Sequence, residues 1–335
     1  MSFEQDRASA PLKLPYEQTV LVLQGGGALG TYQAGAYEVM HAQGIRPDWI
    51  AGISIGAINA AIIAGNAPDD RIEKLRTFWK TVGIDLPGSH FEPRNDISQL
   101  SYRSLSGLWA LAAGVPGFFR PWFLLPWFNL PGTPEATSFY DTTPLRQTLL
   151  DLVDFDRINS GETRLSLGAV NVRTGNFIYF DNQRDNRIIT PEHVMASAAL
   201  PPGFPAVVID GEPYWDGGLV SNTPLSYVLD AGVAKDTLVF QIDLFSAHGP
   251  DPATIDEVEE RIKDISYSSR TRLNTDAFLE KYRLRHQLRM LAEHLTPEVR
   301  AQMLPRAEPG DTFNGRVSLV HLINRANKNE IQSKD

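Results

Sequence analysis

The chain of 335 residues is 42% apolar and 21% charged, a globular composition with enough length for one large domain or two. It contains no cysteine, which excludes disulfides, thiolate metal sites and a cysteine nucleophile. A formal net charge of −9 argues against nucleic acid as a partner. The polar start Met1-Ser2-Phe3-Glu4 lacks the basic-then-apolar layout of a secretory leader, so the expected location is cytoplasmic.

In chain order, residues 1–18 read as a polar arm broken by Pro11 and Pro15. Thr19 to Gln24 is a short Val/Leu run of the kind buried on both faces in a parallel sheet. Gly25-Gly26-Gly27-Ala28-Leu29-Gly30 follows, then a helical pattern to Gln43-Gly44. Pro47 to Ser54 supplies a second strand, and Ile55 to Ala64 a helix so apolar that it must be buried nearly all round. A third helix is expected from Asp69 to Val82, with Ile72, Leu75, Phe78 and Trp79 on one face.

Residues 84–143 break this rhythm. Between Ser104 and Pro134 the only charge is Arg120, while Pro116, Pro121, Pro126 and Pro131 recur among Trp109, Trp122, Trp127 and four phenylalanines. Proline at that spacing forbids the unbroken helix of about 20 residues that spans a bilayer. The segment is either an insertion packed on the core, an apolar lid or interfacial patch reaching a membrane surface, or an oligomer contact.

Strand patterns resume at Leu165–Val172 and Asn176–Phe180 around Thr174-Gly175, and at Ala206–Ile209 and Glu212–Trp215 around the turn signal Asp210-Gly211. Helices are expected at Pro191–Ala198 and Pro224–Ala231, and a buried strand at Thr237–Leu244. From Ile255 to about Met303 apolar residues fall at helical spacing, with Ile262, Ile265, Leu273, Phe278, Leu284, Leu288, Leu291 and Leu295 as the expected buried side. Lys281, Arg283, Arg285, His286 and Arg289 form a basic stretch, read as a solvated helix face or as a contact for anionic lipid or another polyanion. Arg316 to Ile323 is a final strand, before a tail from Asn327. The expected organisation is an arm at 1–18, an α/β body at 19–245 with an insertion at about 84–143, and a mainly helical extension at 246–335.

Three pieces carry chemistry. Gly52-Ile53-Ser54-Ile55-Gly56 has a serine flanked by glycines between a strand and a helix, the pattern of a nucleophile elbow. There the N–H of Ile55, at a helix N-terminus, can face a developing oxyanion. The glycine loop at 25–30 can turn several backbone N–H groups toward one anion. That anion is either a pyrophosphate, since Gly25, Gly27 and Gly30 satisfy the dinucleotide spacing, or the oxyanion of ester cleavage. The dinucleotide reading calls for an acidic residue ending the second strand, which ends in Ile53-Ser54 instead. Finally, Asp216 ends a strand ahead of Gly217 and Gly218, so its carboxylate can sit at a sheet rim as a base for Ser54. Asp-Gly is also an ordinary turn dipeptide.

On these residues the chain resembles the patatin-like phospholipases. Gly25 to Gly30 matches the oxyanion loop, Gly52 to Gly56 the elbow, Asp216-Gly217-Gly218 the motif of the second catalytic residue, and Ala196 to Pro201 the segment before it. The family often has a cation where Leu29 stands. The resemblance implies a three-layer α/β/α fold with a mostly parallel central sheet. It further implies a Ser54–Asp216 dyad hydrolysing lipid-like esters, oxyanion donors in Gly25, Gly26, Gly27 and Ile55, and support from Gly30, Gly52, Gly56, Gly217 and Gly218. No metal or cofactor is expected. The expected partners are a lipid or ester substrate and a membrane surface met through residues 104–134. The rival readings are a Ser-His-Asp α/β-hydrolase and a non-catalytic lipid-binding module.

Overall fold

The computed structural model describes residues 14–83, 110–184, 187–230, 235–292, 294–296, 299 and 317–323. Expectations for the arm before residue 14, for the insertion at 84–109 with Trp109, for the helix end near Met303 and for the tail lie outside these residues. So do those for the side chains of Phe278, Arg285, His286, Leu288 and Arg289.

The strands are β1 (Gln18–Leu23), β2 (Trp49–Gly52), β3 (Arg120–Pro121), β4 (Tyr140–Asp141), β5 (Arg164–Asn171), β6 (Phe177–Asp181), β7 (Val207–Ile209), β8 (Glu212–Asp216), β9 (Thr237–Asp243) and β10 (Val317–Ile323). With the helices between them they make the α/β fold expected from the sequence. The chain divides into two compact units, residues 1–52 with 221–335, and residues 53–220. The segment after Phe245 therefore belongs with β1 and forms no unit of its own.

In the first unit β10, β9, β1 and β2 run parallel in that order, and β1 and β2 end together at Leu23 and Gly52. The Val/Leu run of β1 is central, which is why it carries no polar alternation: Val20 to Leu23 are fully buried. The Leu225–Asp230 helix covers one face, where Leu225, Val228 and Leu229 meet Val20, Val22, Trp49 and Val239.

The long helix Ile255–Ala292 corrects the expected buried face. Ile262, Ile265, Leu273, Leu284, Leu291 and Leu295, expected inside, are exposed. Its contact joins small polar residues, with Ser268 and Thr271 buried, to two tyrosines, Tyr267 against Phe245 with ring centroids 4.7 Å apart and Tyr282 against the Val20–Trp49 cluster. Thr271 Oγ1 accepts from Gln24 Nε2 at 3.0 Å, donates to the Tyr267 carbonyl at 3.0 Å and meets Thr223 Oγ1 at 2.9 Å. Gln24 itself is fully buried, and its Oε1 accepts the N–H of Leu244 at 2.6 Å. Apolar spacing finds a helix but not a docking face built from hydroxyls. Thr271→Val keeps the volume and strands two buried donors, so a loss of about 2 to 3 kcal/mol is expected in chemical denaturation.

In the second unit the helix Ile55–Ala64 has all ten residues buried, as its composition requires. The helix Arg71–Thr81 lies against it through Leu75 and Phe78, and the Trp79 indole N–H donates to Asn59 Oδ1 at 3.1 Å. β5 pairs antiparallel with β6 and β8, and β8 pairs antiparallel with β7. Both expected hairpins form, with Gly175 at φ 71° and Asp210 and Gly211 at φ 53° and 81°, the left-handed backbone such turns demand. One helix not anticipated, Thr143–Leu152, buries Leu145, Thr148, Leu149 and Leu152.

The described part of the aromatic insertion is split between two roles. Phe118 and Phe119 pack with Tyr140 and Phe204, ring centroids 4.7 to 6.3 Å apart, as an insertion on the core would. Residues 123–130 instead point outward.

Candidate active site

Ser54 stands between the Gly52 end of β2 and the helix that begins at Ile55. Its backbone has φ 57° and ψ −127°, a region that residues with a β-carbon rarely occupy and that persists only when neighbours enforce it. The neighbour here is Ser197, at the end of the helix Pro191–Ser197. The Ser54 N–H donates to the Ser197 carbonyl at 3.0 Å and to Ser197 Oγ at 3.2 Å. Ser197 Oγ in turn donates to the Gly168 carbonyl of β5 at 2.6 Å. After the elbow, the Gly56 N–H donates to the Ile53 carbonyl at 2.9 Å, which tightens the first turn. Ile55, the first helical residue, has no carbonyl within the helix to receive its N–H.

Asp216 closes β8 with only 1% of its surface exposed. Its N–H donates to the Ala199 carbonyl at 3.0 Å, and its Oδ1 accepts the Gly218 N–H at 2.7 Å. The Ser54 side chain also hydrogen-bonds the carboxylate. Burial outweighs both bonds and pushes the Asp216 carboxyl up to about 7, into the range where a base works near neutral pH. Gly217 lets this turn lie against β5, since a β-carbon there would come within 2.6 Å of the Gly168 carbonyl oxygen.

In the glycine loop, Gly27 sits at φ 58°, and Gly27–Leu29 forms a 3₁₀ turn ahead of the helix Gly30–Ala42. A β-carbon on Gly26 would lie 2.6 Å from Leu244 Cδ1. Gly25 does not present its N–H as the sequence suggested. It donates to the Asn222 carbonyl at 3.1 Å while the Gly25 carbonyl accepts Asn222 Nδ2 at 2.8 Å. Gly26 and Gly27 make no such bond among the described residues.

Two of the described histidines make contacts elsewhere. His193 is buried on the Pro191–Ser197 helix, where Nδ1 accepts the Thr190 N–H at 3.0 Å, and burial pushes its imidazole down to about 4. His321 of β10 pairs with Asp243. Sequence reasoning did not single out Ser197, Ala199 or Asn222 as supports. Ala199 acts through its carbonyl oxygen, which leaves no mark on residue type, and the Asn222 amide lies 197 residues from the Gly25 it holds. Ser197 lies inside the matched segment Ala196 to Pro201, and that was the one available signal.

A family model described as patatin-like phospholipase matches residues 21–229, more than half of the chain, and one described as patatin phospholipase matches residues 265–335. A cGAMP-activated phospholipase of Pseudomonas aeruginosa is 26% identical over 216 residues, 61% of this chain and 54% of that protein. The chain thus spans about half the length of that curated relative. Among solved structures, VipD from Legionella pneumophila aligns over 93% of this chain and 62% of its own, at 14% identity and a TM-score of 0.35. A chain of the complex of full-length SpcU with full-length ExoU from Pseudomonas aeruginosa aligns over 79% of this chain and 52% of its own, at 16% identity and a TM-score of 0.31. The first family match takes in the glycine loop, the strained serine and the buried aspartate together, and by it the chain belongs to the patatin-like phospholipase family.

Proposed function

We propose that the chain hydrolyses carboxylic esters of lipids by a Ser54–Asp216 dyad. The observation that carries this reading is a serine in a strained backbone at a helix N-terminus, hydrogen-bonded to a buried aspartate whose carboxyl titrates near neutrality. Ser54 Oγ attacks the ester carbonyl carbon as its proton passes to the Asp216 carboxylate. The Ile55 N–H, at the helix N-terminus, steadies the oxyanion. The loss of one such donor typically costs about 3 kcal/mol in the barrier. Collapse expels the alcohol, which recovers the proton from Asp216 and leaves the acyl group on Ser54. Asp216 then takes a proton from water, whose oxygen attacks the acyl-enzyme, and returns it to Ser54 Oγ as the acyl–oxygen bond breaks and the acid leaves.

The direct Ser54–Asp216 bond favours the dyad over a triad, because the carboxylate that would orient a histidine is already on the serine. Purified protein is expected to hydrolyse medium-chain p-nitrophenyl esters, and a fluorophosphonate to label Ser54 alone on peptide mapping. A label on another residue, or a protein inert toward every ester tried, would sink this assignment.

A further inference from the structure

Residues 123–130 form a projecting apolar tip with no counterpart in the chemistry above. Phe123 is fully exposed, and Trp127, Phe128 and Leu130 are 75%, 73% and 77% exposed. No charged residue occurs from Pro121 to Pro134. Soluble surfaces seldom gather this much aromatic area in one place without a partner.

Part of the tip's polar backbone is satisfied within the turn itself. A backbone entering an apolar phase must have its polar groups satisfied internally. Pro121, Pro126 and Pro131 bring no N–H at all. Asn129 Nδ2 donates to the carbonyls of Leu125 at 3.1 Å and Glu135 at 3.3 Å. The N–H groups of Phe128 and Asn129 close on the Leu125 and Pro126 carbonyls at 3.0 and 3.2 Å. The Trp122 indole N–H bonds Ser138 Oγ at 3.0 Å, and the Trp127 ring leans on Phe139 at 5.9 Å. The aromatic side chains are thus presented by an ordered turn.

We infer that this tip inserts into the interfacial region of a phospholipid leaflet and holds the protein there as a peripheral guest. The lipid occupant rests on the lipid-ester reading above. Tryptophan and phenylalanine suit the headgroup level of a bilayer. Among the described residues no helix is long and apolar enough to cross a membrane. The tip carries no charged residue from Pro121 to Pro134, which makes its binding apolar and insensitive to salt. The tip is fastened to the catalytic unit at its base. The Phe139 N–H donates to the Pro202 and Gly203 carbonyls at 3.1 and 3.2 Å, three to four residues after Ala199, whose carbonyl holds the Asp216 N–H.

The test uses full-length protein carrying Ser54→Ala, so that no lipid is consumed, and sedimentation with phosphatidylcholine vesicles at low and at molar salt. Binding is expected at both. Adding Phe123→Ser, Trp127→Ser and Phe128→Ser should weaken it by about 100-fold. The same three changes in the Ser54 protein should leave hydrolysis of p-nitrophenyl acetate within about twofold, which also shows that the fold survives. Vesicle binding that ignores the triple change overturns the inference. So does binding confined to anionic vesicles at low salt, a triple change that only dissociates an oligomer, or attachment to polyester particles but not to bilayers. Vesicle binding lost with the triple change in a protein inert toward esters would uphold the surface and defeat the catalytic reading.

Discussion

Ser54→Gly is expected to unfold at a higher temperature than Ser54→Ala, although both lose ester hydrolysis by about 10⁴-fold or more. Neither variant has an Oγ, so neither can form an acyl-enzyme. They differ in how they tolerate φ 57° and ψ −127°. Alanine keeps the β-carbon and with it a strain of about 1 to 3 kcal/mol, whereas glycine adopts this backbone freely. Glycine gives back about 0.4 to 1 kcal/mol through its more disordered unfolded state, which leaves a net advantage of about 1 kcal/mol. The Ser54 N–H keeps both bonds to Ser197 in either variant, so the comparison isolates the backbone. Thermal unfolding beside ester kinetics makes the measurement. An alanine variant as stable as the glycine one would mean that the elbow stores no strain, and that the glycines around Ser54 serve packing alone.

The elbow was legible because its physics is local. Gly-x-Ser-x-Gly at a strand-to-helix junction announces a strained turn, and the Ile/Ala run after it announces a buried helix that forms with the expected bounds, Ile55–Ala64. Asp210-Gly211 and Thr174-Gly175 were legible for the same reason, since the turn residue types are dictated by left-handed backbone. The unread features depend on contacts between residues far apart in sequence. Nothing near Gly25 foretells that the Asn222 carbonyl takes its N–H, and nothing near Ser54 that Ser197 holds its own. The long helix shows the limit most clearly. Its leucines and isoleucines fall at helical spacing, yet it docks through Thr271 onto Gln24, 247 positions earlier. In sequence the aromatic insertion is one continuous apolar stretch, and only tertiary packing separates Phe118 and Phe119, which meet Phe204, from the outward tip at 123–130.

Asp216→Asn is expected to abolish activity and yet stabilise the protein above pH 7. Both effects come from the burial that pushes this carboxyl up to about 7 from the ordinary 3.8. Between those two values the native protein retains a proton that the unfolded chain has already released. Stability therefore falls as pH rises from about 4 to about 7 and is level above, and the whole effect amounts to at most about 4 kcal/mol. Asparagine does not titrate, so it escapes this decline. Its side chain can still accept the Gly218 N–H and can donate to Ser54 Oγ, so the local bonds survive the change. The advantage of the variant in chemical denaturation should accordingly be small near pH 4, grow toward pH 7 and then hold constant. In the parent protein kcat/KM should climb with pH to a plateau beyond about 7, because only the ionised carboxyl can take the Ser54 proton. The variant, with no base to offer, should fall by about 10³-fold or more at every pH. A rate profile already level at pH 5, with a stability difference that ignores pH, would show Asp216 ionised in the resting protein. Burial would then have been overcome by the bonds from Ser54 and Gly218, and Asp216 would serve as a base of ordinary carboxylate strength.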